Sequence, residues 1–179
     1  GNSAGAFTIN SSTGVITVAD GGQLDYETTT SYSLTVQVTD DGDPALSDTA
    51  TITINVNNVN DAPVVNDQTF YVDEDAANST SVGTVVASEE DAGQSLTYAI
   101  TAGNGDDIFA INSSTGAITV ADNTDLDYED TTPHYLTVQV TDNGTGTLSD
   151  TATITIHVNN VNDAPIVGNQ QFYLAENAA

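Results

Sequence analysis

The sequence predicts an all-β protein built as tandem seven-stranded Greek-key antiparallel β-sandwiches. Three observations carry this prediction. The 179-residue chain repeats itself at an offset of 102, with residues 1–77 matching 103–179 at 52 of 77 positions and no gap. A period of that length marks a domain, not a short solenoid unit. Apolar and polar residues alternate at period 2, and short Gly, Asn and Asp clusters separate the alternating segments, with no sustained helical period.

The elements follow in chain order. Phe7-Thr8-Ile9 and Val15-Ile16-Thr17-Val18 flank the turn Ser12-Thr13-Gly14 and read as a hairpin. Leu34, Val36 and Val38 alternate with Thr35, Gln37 and Thr39, and Ala50, Ile52, Ile54 and Val56 alternate with Thr49, Thr51, Thr53 and Asn55, so both are half-buried strands. Segments 68–72, 82–87 and 96–100 add three strands to the second copy. That makes about seven strands in about 100 residues, the density of a β-sandwich. The repeat boundaries place the later part of one repeat at 1–63, a complete repeat at 64–165 and the opening strand of a following repeat at 166–179. We expect the physical protein to be longer than this sequence, with a copy of the repeat on each side.

Charge narrows the function. The chain has 26 acidic residues and no lysine or arginine, a formal charge of −26. Without cations it cannot neutralise phosphates, so nucleic acid is excluded as a partner, as is polybasic docking on anionic membranes. No apolar run reaches transmembrane length, so membrane insertion is not expected. Lysine Schiff-base chemistry, disulfides and thiolate metal sites are also absent, because there is no lysine or cysteine. Self-repulsion disfavours the compact state, and no internal cation relieves it. The counter-charge must come from salt or bound metal.

Part of the acidic complement is ordinary solvated surface. The rest clusters at strand ends and linkers. Glu74 follows the opening strand, Glu89 and Asp91 occupy the turn after Val85-Val86-Ala87, and Asp127 and Glu129 precede a later strand. Asp142 follows Val138-Gln139-Val140-Thr141, and Asn160, Asn162 and Asp163 lie in the linker. Hard oxygen donors converging from several loops, with no nitrogen or sulfur donor, suit Ca²⁺. Mg²⁺ suits less well, because it retains its waters.

In its ordered motifs the chain resembles tandem cadherin repeats of the kind found in large bacterial surface adhesins. The motifs are Phe109-x-Ile111 with Ser114-Thr115-Gly116-x-Ile118, Leu126-Asp127-Tyr128-Glu129, Val140-Thr141-Asp142 and Val161-Asn162-Asp163-Ala164-Pro165, each present twice at domain spacing. The resemblance implies a cadherin/immunoglobulin-like sandwich with two or three Ca²⁺ at each inter-repeat junction. It carries ligand roles onto Glu74 and Glu176, onto the pairs Asp25 with Glu27 and Asp127 with Glu129, and onto the linker residues Asn58, Asn60, Asp61, Asn160, Asn162 and Asp163. Glu89 and Asp91 match the family's Asp-x-Asp motif, and Asp40 and Asp142 match the aspartate after the penultimate strand. Two departures stand out. The linker Asn58-Val59-Asn60-Asp61-Ala62-Pro63 is one residue shorter than the family's and begins with asparagine, and Glu89 replaces an aspartate. The junction after the first repeat gathers Asp25, Glu27, Asp61, Glu89, Asp91 and Asp142, six carboxylates that three calcium ions would neutralise.

Catalysis is disfavoured. His134 and His157 are the general-base candidates near neutral pH, yet the first copy has Tyr32 and Asn55 in their places. The carboxylate pair Asp127 and Glu129 recurs at the end of each repeat, which favours a structural ion over glycoside hydrolysis. A glycan- or ice-binding module is the alternative, suggested by the outward threonines Thr49, Thr51 and Thr53; threonine is also simply a good strand residue. The reading is a non-enzymatic extracellular array from a prokaryote, acting as a calcium-rigidified spacer or fibre. Its expected partners are neighbouring copies of the same repeat, with other fibre chains and cell-surface glycans as further candidates.

Overall fold

A computed structural model describes residues 1–2, 4–129, 133–174 and 176. The chain divides into two compact units. One comprises Gly1–Val65, Ala87–Leu96 and Val140–Asp150, the other Asn66–Val86, Thr97–Gln139 and Thr151–Ala179. Thirteen strands and one short 3₁₀ turn, Gly21–Gln23, make up the regular structure of the described residues.

In the first unit β1 (Phe7–Ile9) and β2 (Ile16–Val18) form an antiparallel hairpin. Its turn is locally determined. The Asn10 side-chain oxygen accepts from the amides of Ser12 and Thr13, both at 2.9 Å, and Gly14 takes φ +69°, a conformation that costs glycine nothing. β3 (Ser31–Thr39) and β4 (Ser47–Asn55) pair antiparallel along their full length, Leu34 opposite Ile52 and Val36 opposite Ala50. Ala6, Phe7 and Leu34 form one buried cluster of this unit, with Ile16, Leu24, Tyr32 and Ile54 packed against it. β5 (Val64–Val65) pairs antiparallel with β8 (Ala87–Ser88).

The remaining strands are β6 (Gln68–Asp73), β7 (Ser81–Thr84), β9 (Thr97–Ala102), β10 (Phe109–Ile111), β11 (Ala117–Val120), β12 (His134–Thr141) and β13 (Ser149–Asn159). They form a four-stranded sheet in the order β6-β13-β12-β9 and a three-stranded sheet in the order β10-β11-β7, seven strands in all. Period-2 patterning is converted directly into burial. Leu136, Val138 and Val140 on β12 and Ile154 and Ile156 on β13 are fully buried, with Ile118 from β11. At about 25 cal/mol per Å² of apolar surface, such side chains supply most of the folding drive.

Two details differ from the sequence expectation. The sandwich is not wholly antiparallel: β6 runs parallel to β13, Ile154 opposite Gln68 through Asn159 opposite Asp73. Alternation shows which face of a strand is inward, not the direction of its neighbour. The expected single strand at 82–87 is divided into β7 and β8, because its two halves take different partners, β11 and β5. At the break the Gln68 carboxamide stands in for a strand, accepting from Val86 N at 3.0 Å and donating to Val86 O at 2.9 Å. The described residues of 166–174 carry no strand, and Phe172, Tyr173 and Leu174 are exposed.

Candidate metal centre

Among the described residues acids gather in each unit: in the first they are linked through linker asparagines, and in the second one triad brings its carboxylate oxygens to metal-holding spacing. In the first unit Asp91 and Asp142 are each only 4% exposed, despite their charge. Burying a carboxylate requires hydrogen bonds or a counter-ion. Asp91 Oδ1 accepts from the Asn58 amide at 2.8 Å and Oδ2 accepts from Asp61 N at 2.8 Å. Asp142 Oδ1 caps its own loop, taking Gly144 N at 3.1 Å and Leu148 N at 2.9 Å, and its Oδ2 accepts from Asn60 Nδ2 at 2.8 Å. Each asparagine of the linker is thus fixed on a buried aspartate. Gly144 makes room for this packing, since a Cβ there would overlap the Asn60 amide.

The Glu89 carboxylate turns back on its own loop, Oε1 accepting from Asp91 N at 2.9 Å. Its other oxygen, Oε2, is buried without a hydrogen-bond partner, as is Gln94 Oε1. Gln94 Nε2 donates to Asn60 Oδ1 at 2.6 Å, so Gln94 joins this cluster. Sequence reasoning missed it: Gln94 has no counterpart in residues 1–63 and carries no charge to draw attention. Asp25, Glu27, Asn58 and Asp61 line an adjoining cleft, with Glu90 on its wall.

The electrostatics follow from the packing. Loss of surrounding water lifts the Glu27 carboxyl above its ordinary value, and Asp91, Asp61 and Asp25 add repulsion. Asp91 is held low, first by the Asp61 amide and then by Asn58. Asp25 is also low, through Thr28, whose hydroxyl donates to Oδ2 at 2.6 Å.

In the second unit Glu74, Asp127 and Glu129 each present an oxygen within 4.8 Å of the others. Glu74 clamps the surroundings, Oε2 accepting from Tyr128 N at 2.9 Å and Oε1 from Val161 N at 2.5 Å. Asn160 Nδ2 donates to Glu129 Oε1 at 2.7 Å. Glu129 is shifted upward by desolvation and then by Glu74, with Asp163 and Asp127 contributing. Asn162 turns to the Asp163 carbonyl at 3.2 Å. Two predicted ligands stand apart from both clusters. Asp40 caps the β3–β4 loop, taking Gly42 N and Leu46 N, and Glu176 is exposed in the terminal segment.

Oxygen-only donors, mutual repulsion among the acids and an orphaned buried carboxylate oxygen fit a hard divalent cation such as Ca²⁺. Neither histidine belongs to these clusters. His134 packs edge-on against Phe109, centroids 5.2 Å apart, as Tyr32 packs against Phe7 at 5.0 Å. Burial holds its pKa below the usual value. His157 stacks on Tyr71 at 5.2 Å.

The model of the Cadherin domain matches residues 1–57 and 68–159. Human Protocadherin Fat 1 is 39% identical over 185 residues, covering 99% of this chain and 4% of that protein. Human Cadherin EGF LAG seven-pass G-type receptor 2 is 40% identical over 159 residues, covering 87% and 5%. The chain therefore spans about a twentieth of the length of these relatives. Among solved structures, mouse Cadherin-23 EC22-24 superposes with a TM-score of 0.66 at 28% identity, over 89% of this chain and 51% of that one. The extracellular cadherin domains 1-5 of Protocadherin Gamma B2 superpose with a TM-score of 0.67 at 28% identity, over 88% and 32%. The two relatives are human proteins and lend no support to the expected prokaryotic source.

Proposed function

This chain belongs to the cadherin-domain family, and we propose that it is a non-enzymatic, calcium-rigidified part of an extracellular repeat array that serves as a spacer or fibre. Its partners are then neighbouring copies of the repeat, with other fibre chains and cell-surface glycans as contacts of the assembled array. The observation that carries the reading is the buried pair Asp91 and Asp142 beside the unpartnered Glu89 Oε2, in a chain with no lysine or arginine to balance them. Asp25, Glu27, Asp61, Glu89, Asp91 and Asp142 would hold calcium in the first cluster, with oxygens from Asn58, Asn60 and Gln94. Glu74, Asp127, Glu129 and Asp163 would do so in the second, with Asn160 and Asn162 beside them and Glu176 and Asp40 serving further copies of the site. The count we propose is two or three ions per junction: three would neutralise the six carboxylates of the first cluster, and two would leave it with a charge of −2.

Bound calcium supplies positive charge to ligands drawn from the linker and from separate loops. The chain's own part is to hold those loops ready: Asp61 N and Asn58 fix Asp91, and Asn60 fixes Asp142. Losing the ion restores the repulsion and loosens the linker. Calorimetric titration of calcium into the chain tests this. Asp61→Ala should lower calcium affinity several-fold, whereas Asp20→Ala should leave it unchanged, since Asp20 caps an exposed 3₁₀ turn, accepting from Gly22 N at 3.0 Å and from Gln23 Nε2 at 3.4 Å. Equal affinities for the two variants would refute the ligand assignment.

A further inference from the structure

We propose that the outward face of β6, β13 and β12 binds a glycan of amino sugars with free amines, through the rings of Tyr71, His157 and Tyr135. The inference rests on the reading of the chain as an array that meets glycans, and is independent of the calcium sites.

Strand alternation sets the rings outward. Val72 on β6, Ile156 and Val158 on β13 and Leu136 on β12 are buried, so their sequence neighbours point to the other face of the sheet. Tyr71 is 62% exposed and Tyr135 59%, and His157 is half-buried. β6 and β13 place Tyr71 opposite His157, and the two rings stack with centroids 5.2 Å apart and 18° between their planes. His157 thus covers one face of the Tyr71 ring, and the exposure of Tyr71 leaves the other face open. The β3–β4 register, carried over by the offset of 102, sets Tyr135 opposite Thr155. That position is diagonal to His157 and within reach of an aromatic side chain. Asp73 and Asn159 are the next outward pair beyond Tyr71 and His157, with Asn159 Nδ2 donating to Asp73 Oδ1 at 2.9 Å.

The two copies of the repeat differ where these rings stand. β12 and β13 correspond to β3 and β4. Positions 31–39 and 47–55 differ from 133–141 and 149–157 at four places: Ser31 and Pro133, Tyr32 and His134, Ser33 and Tyr135, Asn55 and His157. In the β3–β4 register all four sit at one end of the pair, Ser31 opposite Asn55. The outward Thr137, Gln139, Thr151, Thr153 and Thr155 are the same in both copies. Change on the outward face is therefore confined to two positions, and each exchanges a small polar side chain for a ring. A uniform spacer needs no such local difference, whereas a ligand site does.

Charge selects the occupant. A formal charge of −26 with no lysine or arginine repels acidic glycans. An aromatic face accepts the axial C–H groups of a pyranose and attracts a cation over its π-system. Asp73 is exposed and lies two residues from Tyr71 on the same face. An ammonium-bearing sugar meets both demands, its C–H face on the ring and its amine toward the ring and the carboxylate, with hydroxyls left for the threonines.

Calorimetric titration of the full chain with a glucosamine hexamer tests the proposal, and the N-acetylglucosamine hexamer is its uncharged counterpart. Titrations in calcium and in chelator separate failure of this face from failure of the calcium sites. We expect the glucosamine hexamer to bind in both, several-fold more tightly than the acetylated one. Tyr71→Ala and Tyr135→Ser should each weaken it by roughly 2–30-fold, the range for loss of one cation–π contact. Both positions are more than half exposed, so thermal melting of the variants should match that of the parent. Undiminished binding by both variants, the signature of bulk attraction to the acidic chain, would overturn the proposal. So would an absence of binding, or equal or tighter binding of the acetylated hexamer, which would give the face to neutral glycans.

Discussion

At the residue scale, the acids of this chain divide by what their oxygens touch. Asp91 and Asp142 are buried on linker asparagines, whereas Asp20 caps a turn in solvent. The sequence located the first group by position within the repeat, and both clusters contain residues predicted from it. What it could not locate was Gln94, whose membership depends on a loop folding back onto Asn60. The titration of these groups has a definite sign. Glu27 and Glu129 lie above the ordinary glutamate value of 4.5. Their neutral forms therefore favour the metal-free fold, a contribution present below that value and lost as pH rises through the folded pKa. Asp25 and Asp91 lie below 3.8, so their contribution is present above that value and lost only as pH falls through the lowered one. In the proposed sites calcium would need the ionised glutamates, and protons would compete for them. Calcium affinity, measured by calorimetry from neutral pH downward, should begin to fall while the pH is still above 4.5. An affinity that stays flat to below that value would argue against Glu27 and Glu129 as ligands.

At the element scale, identical segments meet different fates. β4 and the matching part of β13 share the run Leu-Ser-Asp-Thr-Ala-Thr-Ile-Thr-Ile, and alternation correctly marks both as strands. Their energetic weight differs because their neighbours differ. Ile154 is wholly enclosed, and Ile52 is more than one-third exposed. Ile154→Ala should cost about 2–5 kcal/mol, the range for emptying a packed aliphatic site. Ile52→Ala should cost less than about 1 kcal/mol, since half-exposed sites lose little transfer energy. Urea unfolding of the two variants reads both costs. Equal losses would mean that β4 is enclosed in solution.

At the scale of the whole molecule, charge dominates. A formal charge of −26 with no cationic side chain leaves solvent cations as the only relief from repulsion. The extracellular calcium modules of this kind of chemistry bind with Kd ~10⁻⁴–10⁻³ M. At roughly 10 mM calcium one such site stabilises the fold by about 1.4–2.7 kcal/mol. For a domain of this size that is a rise in Tm of roughly 5–20 °C. Thermal melting in calcium and in chelator measures it. In chelator, added monovalent salt should recover only part of the difference, because screening relieves long-range repulsion and does not supply the partner that the buried Glu89 Oε2 lacks. Full recovery by salt alone would leave no role for a specific site.

The sequence by itself determined the repeat, most of the strands, the turns that separate them and the acids at the strand ends. Each of these depends on local chemistry: period-2 alternation, the Asn10 and Asn112 turns, and position within a duplicated motif. Only the tertiary structure decided that β6 runs parallel to β13, that segment 82–87 is shared between two sheets, that Gln94 joins the acids and that Ile154 is enclosed while Ile52 is open. The reason is common to all four. A residue's local pattern fixes its own backbone and inward face, but direction, partner and burial belong to a second segment far away in the chain, and the same nine residues acquire a buried core or an open edge according to which segment lies beside them.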